Sequence, residues 1–316
     1  MAALKAADGC SLYYERTGSG PPVVLIPGLG GDGRFWGGVV AALKDRFDLV
    51  VVDHRGAGRS DRPTGPHNIG AIAHDVLAIM DQEGIAAAHL VGHSTGGAIV
   101  QTIALDAPER ARSLVISGSW DRSDARFRAA FEARAALLDA GLAEAYQKLT
   151  HVFGYGPAYI DAHAAELDKA VASATEALAP LAVTAARVRM LLDFDRSADL
   201  AQIRQPTLVI GARDDALIPI HHARRLHSLM PHADYCEFEG AHFHPRTDPA
   251  PFAERVGRFL AATSDGDKPW ASKNATTRSS PASWAPSSRP IGTMACRSSS
   301  IISARSTAIS LARSAS

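Results

Sequence analysis

The chain is poor in cysteine. Among its 316 residues only Cys10, Cys236 and Cys296 are cysteines. They are odd in number, far apart and without a CxxC pair, which excludes a disulfide scaffold and a zinc-ribbon pattern and fits a reducing compartment. Nor is there an excess of charge: Lys+Arg and Asp+Glu both number 33, so no broad basic face points to nucleic acid or to an anionic membrane. No apolar run approaches the roughly 20 residues of a membrane span, and Met1-Ala2-Ala3-Leu4-Lys5 lacks the apolar stretch of a secretory signal. The expectation from these absences is a cytoplasmic protein whose partner is a small molecule, with neither nucleic acid nor membrane, and with a homodimer left open.

What is present is a hydrophobic content of 46%, enough for a large core. Asp8-Gly9 is a two-residue turn between strand-forming stretches, so residues 3 to 16 read as an antiparallel hairpin. Val23-Val24-Leu25-Ile26 and Leu49-Val50-Val51-Val52 are continuous apolar runs, as a strand buried on both faces requires. Between them Phe35 to Leu43 reads as a helix, and Ile69 to Glu83 carries apolar residues at helical spacing up to the stop at Gly84. Leu114-Val115-Ile116, Pro206 to Gly211 and Tyr235 to Phe238 add strands, with helices over Ile220 to Met230 and Pro251 to Ala262. Strand and helix in alternation predict an α/β fold around a mostly parallel sheet.

Two stretches break that rhythm. Residues 121 to 200 are rich in Ala and Arg, broken at Gly141, Gly156-Pro157 and Pro180, and contain no convincing strand. They read as a helical lid inserted after a sheet strand, where an insertion shapes a pocket and leaves the core intact. Residues 264 to 316 are dominated by Ser, Ala and Arg and are too poor in apolar residues to bury a core, which predicts a disordered low-complexity tail after a single domain over 1–263.

The stretch that carries chemistry is Leu90-Val91-Gly92-His93-Ser94-Thr95-Gly96-Gly97. A strand enters, a helix leaves, and glycines flank one serine at two positions on either side. Such a turn is too tight for Cβ atoms at those positions and pushes the serine out at the head of the helix, where unpaired N–H groups favour developing negative charge. Pro27-Gly28-Leu29-Gly30-Gly31 lacks the Lys-Ser/Thr of a phosphate loop and the third glycine of a dinucleotide fingerprint. Its use is a close backbone approach, with the Leu29 N–H as a second oxyanion donor beside that of Thr95. A nucleophilic serine needs a base and an acid on loops at the same sheet edge. Asp214-Asp215 follows one strand and Gly240-Ala241-His242 follows the next. His242-x-His244 comes without an HExxH or a carboxylate set, so no metal is expected, and no cofactor motif is present. His244 reads as loop packing or a pocket wall, His221 and His222 as solvated, and Asp53 with Arg55 as the brace of a polar turn. Asp121, after the strand ending at Ile116, is a reserve acid.

The elbow, the loop at 27–31 with Trp36 beyond it, Asp53-x-Arg55-Gly56-x-Gly58-x-Ser60, the acid loop and Gly240-Ala241-His242 together resemble the α/β-hydrolase superfamily over residues 3 to 263. The resemblance implies Ser94 as nucleophile, His242 as base and the Leu29 and Thr95 N–H groups as oxyanion hole. Pro27 stands where many members have His. Relatives often place the acid four residues before the loop proline, here Pro219, which selects Asp215; counting three on from Gly211 selects Asp214. The helix start fixes the loop better, which favours Asp215. The segment from Ile116 through Trp120 to Leu138 is similar to the branch of aminoacrylate and carbamate hydrolases and 3-oxoadipate enol-lactonases. That likeness implies a small polar substrate, with a carboxylate met by lid arginines such as Arg126 or Arg134. Trp120, His93 and Phe243 are the candidate pocket residues, although lid aromatics such as Trp120 are more often lid core and a residue beside the nucleophile, here His93, most often faces away from it. The expected function is a serine hydrolase of a small ester, lactone, amide or carbamate. A cofactor-free haloperoxidase or perhydrolase and a hydrolase-like receptor with little turnover are the alternatives.

Overall fold

The computed structural model describes residues 2–264. Beyond its first residue, the stretch expected as a disordered tail lies outside them. Eight strands form one sheet: β1 (Ala2–Lys5), β2 (Ser11–Gly18), β3 (Pro22–Ile26), β4 (Asp48–Val52), β5 (Ala88–His93), β6 (Ala111–Ser117), β7 (Thr207–Ala212) and β8 (Asp234–Phe238). Their order is β1-β2-β4-β3-β5-β6-β7-β8. β1 and β2 run antiparallel at one edge, and all pairs from β4 onward are parallel.

The apolar runs are continuous because both faces of the sheet are covered. Val23, Leu25, Leu49, Val51 and Val91 point to one face, under helices α1 (Gly37–Leu43) and α12 (Pro249–Ser264), against Val39, Phe252, Val256 and Phe259. Their sequence neighbours Val24, Ile26, Val50, Val52 and Leu90 point to the other, under α2 (Ile69–Gln82) and α3 (Thr95–Asp106), against Ile72, Val76, Ile99 and Ile103. Each such side chain fully buried contributes about 1.5–3 kcal/mol. The expected helix at 35 to 43 is a 3-10 turn over Gly33–Trp36, capped by the Asp32 carboxylate, running into α1. The closing helix starts two residues earlier than expected and ends at Ser264, one residue past the expected end of the domain.

The loop after β4 departs from expectation in its partners. The Asp53 carboxylate accepts from the Gly33 N–H at 2.7 Å, the Arg59 N–H at 2.8 Å and the Arg59 guanidinium, so it ties its own loop to the one after β3. Arg55 turns the other way, to Asp75 and Asp8.

Residues between β6 and β7 form six helices: α4 (Ala125–Asp139), α5 (Ala143–Gly154), α6 (Pro157–Ala162), α7 (Ala164–Ala172), α8 (Ala174–Ala177) and α9 (Leu181–Arg189). The two ends of the insertion meet in a bridge between Arg122 and Asp195, and the Arg196 N–H donates to the Asp121 carbonyl at 2.9 Å. The insertion therefore leaves and re-enters the sheet at one place. The chain resumes with β7, α10 (Ile220–Leu229), β8 and the short α11 (His244–Thr247) before α12.

At the turn from β5 into α3 the backbone is as tight as the glycines require. A Cβ on Gly92 would stand 2.2 Å from the Gly96 carbonyl oxygen, and one on Gly96 would stand 2.1 Å from that of Ile26. Both obstacles are backbone. Gly96→Ala should lower unfolding free energy by about 3 kcal/mol, as overpacking against a fixed main chain does. Urea denaturation checks it, and a loss well under 1 kcal/mol would show that the turn relaxes.

Candidate active site

Ser94 is held by that turn at φ 56° and ψ −119° and is the one non-glycine residue with positive φ among the described residues. Its N–H donates to the Ser117 carbonyl at 2.8 Å, and its carbonyl accepts from Gly97 at 2.9 Å, so the strained conformation is locked from both sides. A Cβ on Gly28 would be 3.1 Å from Ser94 Cβ and 3.6 Å from Ser94 Oγ. A side chain there would press on the serine, so the loop after β3 lies close against it. Thr95 opens α3, and helix geometry leaves its N–H without an intrahelical acceptor.

The acid and the base arrive from β7 and β8. His242 Nδ1 lies 2.6 Å from Asp215 Oδ2, with both side chains buried. The other oxygen, Oδ1, accepts the N–H groups of Leu217 at 2.9 Å and Ile218 at 2.7 Å. The carboxylate is thus pinned by the turn entering α10, and one oxygen remains for the imidazole. Asp214 is exposed and donates its N–H to the Gly240 carbonyl at 3.0 Å, bracing the acid loop against the base loop. Asp121 is buried but occupied by Arg225 at 2.7 Å, 104 residues along the chain. It braces α10 to the base of the insertion and makes no bond to His242.

Ser94 and His242 border one cavity of about 470 Å³, together with Leu29, His93 and Phe243 from the sheet side and Phe131, Arg134, Tyr146 and Arg187 from the helical insertion. No hydrogen bond joins Ser94 Oγ to His242 among the described residues. Nucleophile–base bonds in ligand-free sites are commonly long and tighten when substrate binds. His93 and Phe243 border the cavity. Trp120 does not: it is fully buried, edge-on to Phe194 and 4.7 Å from Phe127 between ring centroids, because the insertion folds over the end of β6 and takes the indole into its own core. Arg126 is also elsewhere, donating to the Ala216 carbonyl on the outside. Arg187 and Arg246, which line the cavity, were not singled out in the sequence. The signal for Arg187 was its place on the apolar stripe of α9, four residues after Val183 and next to Val188.

Several buried histidines are held neutral. Burial pushes His54 and His93 well below the ordinary imidazole value, helped by Arg187 at His54 and by His242 and His244 at His93. Burial likewise lowers His244, His222 and His89 to about 4. His222 corrects an expectation of solvation: only His221 faces solvent, while His222 is turned inward beside Phe127. His244 packs between Phe238 and Phe252, as loop packing. Asp124, His221 and His222 are the one group among the described residues with side-chain atoms close enough together for a metal ion. Asp124 caps α4 through the Phe127 N–H at 2.7 Å and accepts from His221 at 2.8 Å.

The profile of the family described as alpha/beta hydrolase fold matches residues 21–154. The chain is 38% identical over 249 residues to a protein of Azorhizobium caulinodans with the provisional name carbamate hydrolase RutD, covering 78% of this chain and 94% of that one. A Caulobacter protein with the same provisional name is 38% identical over 259 residues, covering 79% and 96%. Among solved structures, a hydrolase from Pseudomonas aeruginosa superposes with a TM-score of 0.73 at 26% identity, covering 82% of this chain and 97% of that one. The enol-lactonase from Burkholderia xenovorans superposes with a TM-score of 0.75 at 24% identity, covering 82% and 100%.

Two outcomes follow from this geometry. Asp215→Asn should cost about 10³–10⁴ in kcat on any substrate the site turns over, while Asp214→Asn should stay within a few-fold of wild type. Equal losses would place the acid wrongly. The neutral buried histidines have folded values below the unfolded value of about 6.5, so between about 4 and 6.5 the unfolded chain binds more protons and stability falls with falling pH. Their contribution is complete above about pH 6.5. Urea midpoints should drop steadily from pH 7 to pH 4.5; a flat profile would mean that these imidazoles are not held neutral.

Proposed function

Because the chain belongs to the α/β-hydrolase family, we propose that it is a serine hydrolase that cleaves a small ester, lactone or carbamate through an acyl-enzyme on Ser94. The observation that carries this is the buried Asp215–His242 pair opening into the same cavity as a serine fixed at positive φ on the head of a helix. Asp215 accepts the proton on His242 Nδ1, which leaves Nε2 as the lone-pair nitrogen. Nε2 takes the Ser94 proton as Oγ attacks the carbonyl carbon. The N–H groups of Leu29 and Thr95 hold the oxyanion, a contribution worth about 10²–10³ in rate per donor. The imidazolium then protonates the leaving group, and a water activated by the same nitrogen releases the acyl group from Ser94. The provisional name of the curated relatives puts carbamates beside esters and lactones among the candidate substrates.

Steady-state turnover of short p-nitrophenyl esters, an enol-lactone and an N-alkyl carbamate by wild type and Ser94→Ala tests the reading. Wild type should turn over at least one class with accumulation of acyl-enzyme, and Ser94→Ala should lose roughly 10³–10⁶ in kcat. Undiminished turnover by the variant, or tight binding of these compounds by wild type without turnover, would overturn it.

A further inference from the structure

Outside the serine cavity, the base of the insertion meets α10 through three side chains that the chemistry at Ser94 does not use. Asp124 is the cap of α4, and His221 and His222 lie in the first turn of α10. Asp124 stands 97 residues before His221, so no ligand spacing in the sequence announces the group. Folding brings their side-chain donor atoms within 4.8 Å of one another. None of the three borders the cavity.

The donors are held ready by their surroundings. Asp124 Oδ1 accepts the Phe127 N–H at 2.7 Å, which fixes the carboxylate and leaves Oδ2 facing both imidazoles. His221 Nε2 lies 2.8 Å from that oxygen, while His222 Nε2 lies 3.4 Å from it. The longer distance is beyond an ordinary hydrogen bond of about 2.7–3.2 Å. His222 is nevertheless only 2% exposed, and its Nδ1 has no hydrogen-bond partner. Buried polar atoms left in this way are rare in folded proteins. The ring cannot swing away to find a better partner, because it packs edge-on to Phe127 and its backbone N–H donates to the Pro219 carbonyl at 2.9 Å. Burial keeps the imidazole neutral, with a lone pair to give, and Asp124, Asp121 and Asp215 all set negative charge around it.

Two imidazole nitrogens and one carboxylate oxygen make a three-ligand zinc site whose fourth position water fills. Around a tetrahedral ion with bonds of about 2.0–2.1 Å, ligand atoms stand about 3.4 Å apart. The edge from Asp124 to His222 already has that length, and the exposed His221 has only to draw back from 2.8 Å, with its proton on Nδ1 instead of Nε2. Asp124 and His221 both reach solvent, so an ion has a way in. Magnesium and calcium, which take about six or more oxygen ligands, do not match this set.

We infer that Asp124, His221 and His222 bind a divalent transition-metal ion of the zinc type, and that the ion clamps the first helix of the insertion to the acid loop. The elements it would join are those that shape the site. α4 carries Phe131 and Arg134 of the cavity wall, and Asp215 is gripped by the Leu217 and Ile218 N–H groups just ahead of α10. A contact already runs alongside, from the Arg126 guanidinium to the Ala216 carbonyl at 2.6 Å. The ion acts on the wall of the cavity and not on the substrate, so this inference stands apart from the acyl-enzyme.

Zinc chloride titrated by calorimetry into the untagged full chain, stripped with EDTA and dialysed, tests it. Wild type should bind one ion per chain. His221→Gln removes an exposed side chain and Asp124→Asn keeps a cap on α4, so both variants should fold. Each should lose about 100-fold in affinity, since even an outer partner of a metal ligand is worth about 10–100-fold. His232→Gln, at an exposed histidine outside the group, should bind zinc as wild type does. Cobalt(II) in place of zinc should give the intense visible bands of a tetrahedral ion in wild type and not in His221→Gln, and magnesium should not bind. No zinc binding by wild type, or binding unchanged in His221→Gln and Asp124→Asn, would overturn the inference. Zinc should also raise the melting temperature of wild type and slow hydrogen exchange in α4 and at 213–219. Binding at these residues with exchange unchanged in both segments overturns the clamp and leaves the metal site standing.

Discussion

The backbone at Ser94 is the constraint on which the rest of the structure depends. A serine at φ 56° is strained, and it persists because the main chain of β5 and α3 closes round it at distances that admit no Cβ at Gly92 or Gly96. The close approach of Gly96 to the Ile26 carbonyl also fixes the end of β3, and with it the loop that carries Leu29. One steric requirement thus sets the exit of the serine, the start of the helix and the position of the second backbone donor. The sheet order then does the remaining work. With β3 and β6 flanking β5, and β7 and β8 beyond, the loops after β3, β5, β7 and β8 emerge at the same edge.

Over that edge the insertion after β6 contributes what the sheet does not, which is a wall. Its helices bring Phe131, Tyr146, Arg134 and Arg187 to the cavity and keep Trp120 for their own core. The electrostatic character that results is one-sided. The imidazoles of His54 and His93 are neutral because they are buried, while guanidiniums stay charged even when buried. A chain with no net charge therefore presents a cationic cavity beside its serine.

Much of this was legible before any coordinates, for reasons of local chemistry. Val23 to Ile26 and Leu49 to Val52 announce buried parallel strands because both faces demand apolar side chains; the glycines at 92 and 96 announce the tight turn because no other residue fits it. The acid was narrower. Asp214 and Asp215 are the same residue type, and only the count back from Pro219 favoured Asp215; in the fold two N–H groups grip Asp215 while Asp214 is exposed. Trp120, His222 and Asp121 have partners, Phe194, Asp124 and Arg225, that lie between 74 and 104 residues away and become neighbours only once the insertion has folded back.

By itself, the sequence determined the alternation of strand and helix, the elbow around Ser94 and the loops that carry Asp215 and His242, because each of these is a demand that neighbouring residues make on one another. Tertiary structure alone decided that Arg55 leaves Asp53 to Arg59, that the insertion takes Trp120 into its own core, and that Arg187 is buried at the cavity without a counter-charge. Those outcomes depend on distances between segments far apart in the chain, and burial and pairing are properties of the packed molecule that no local pattern encodes.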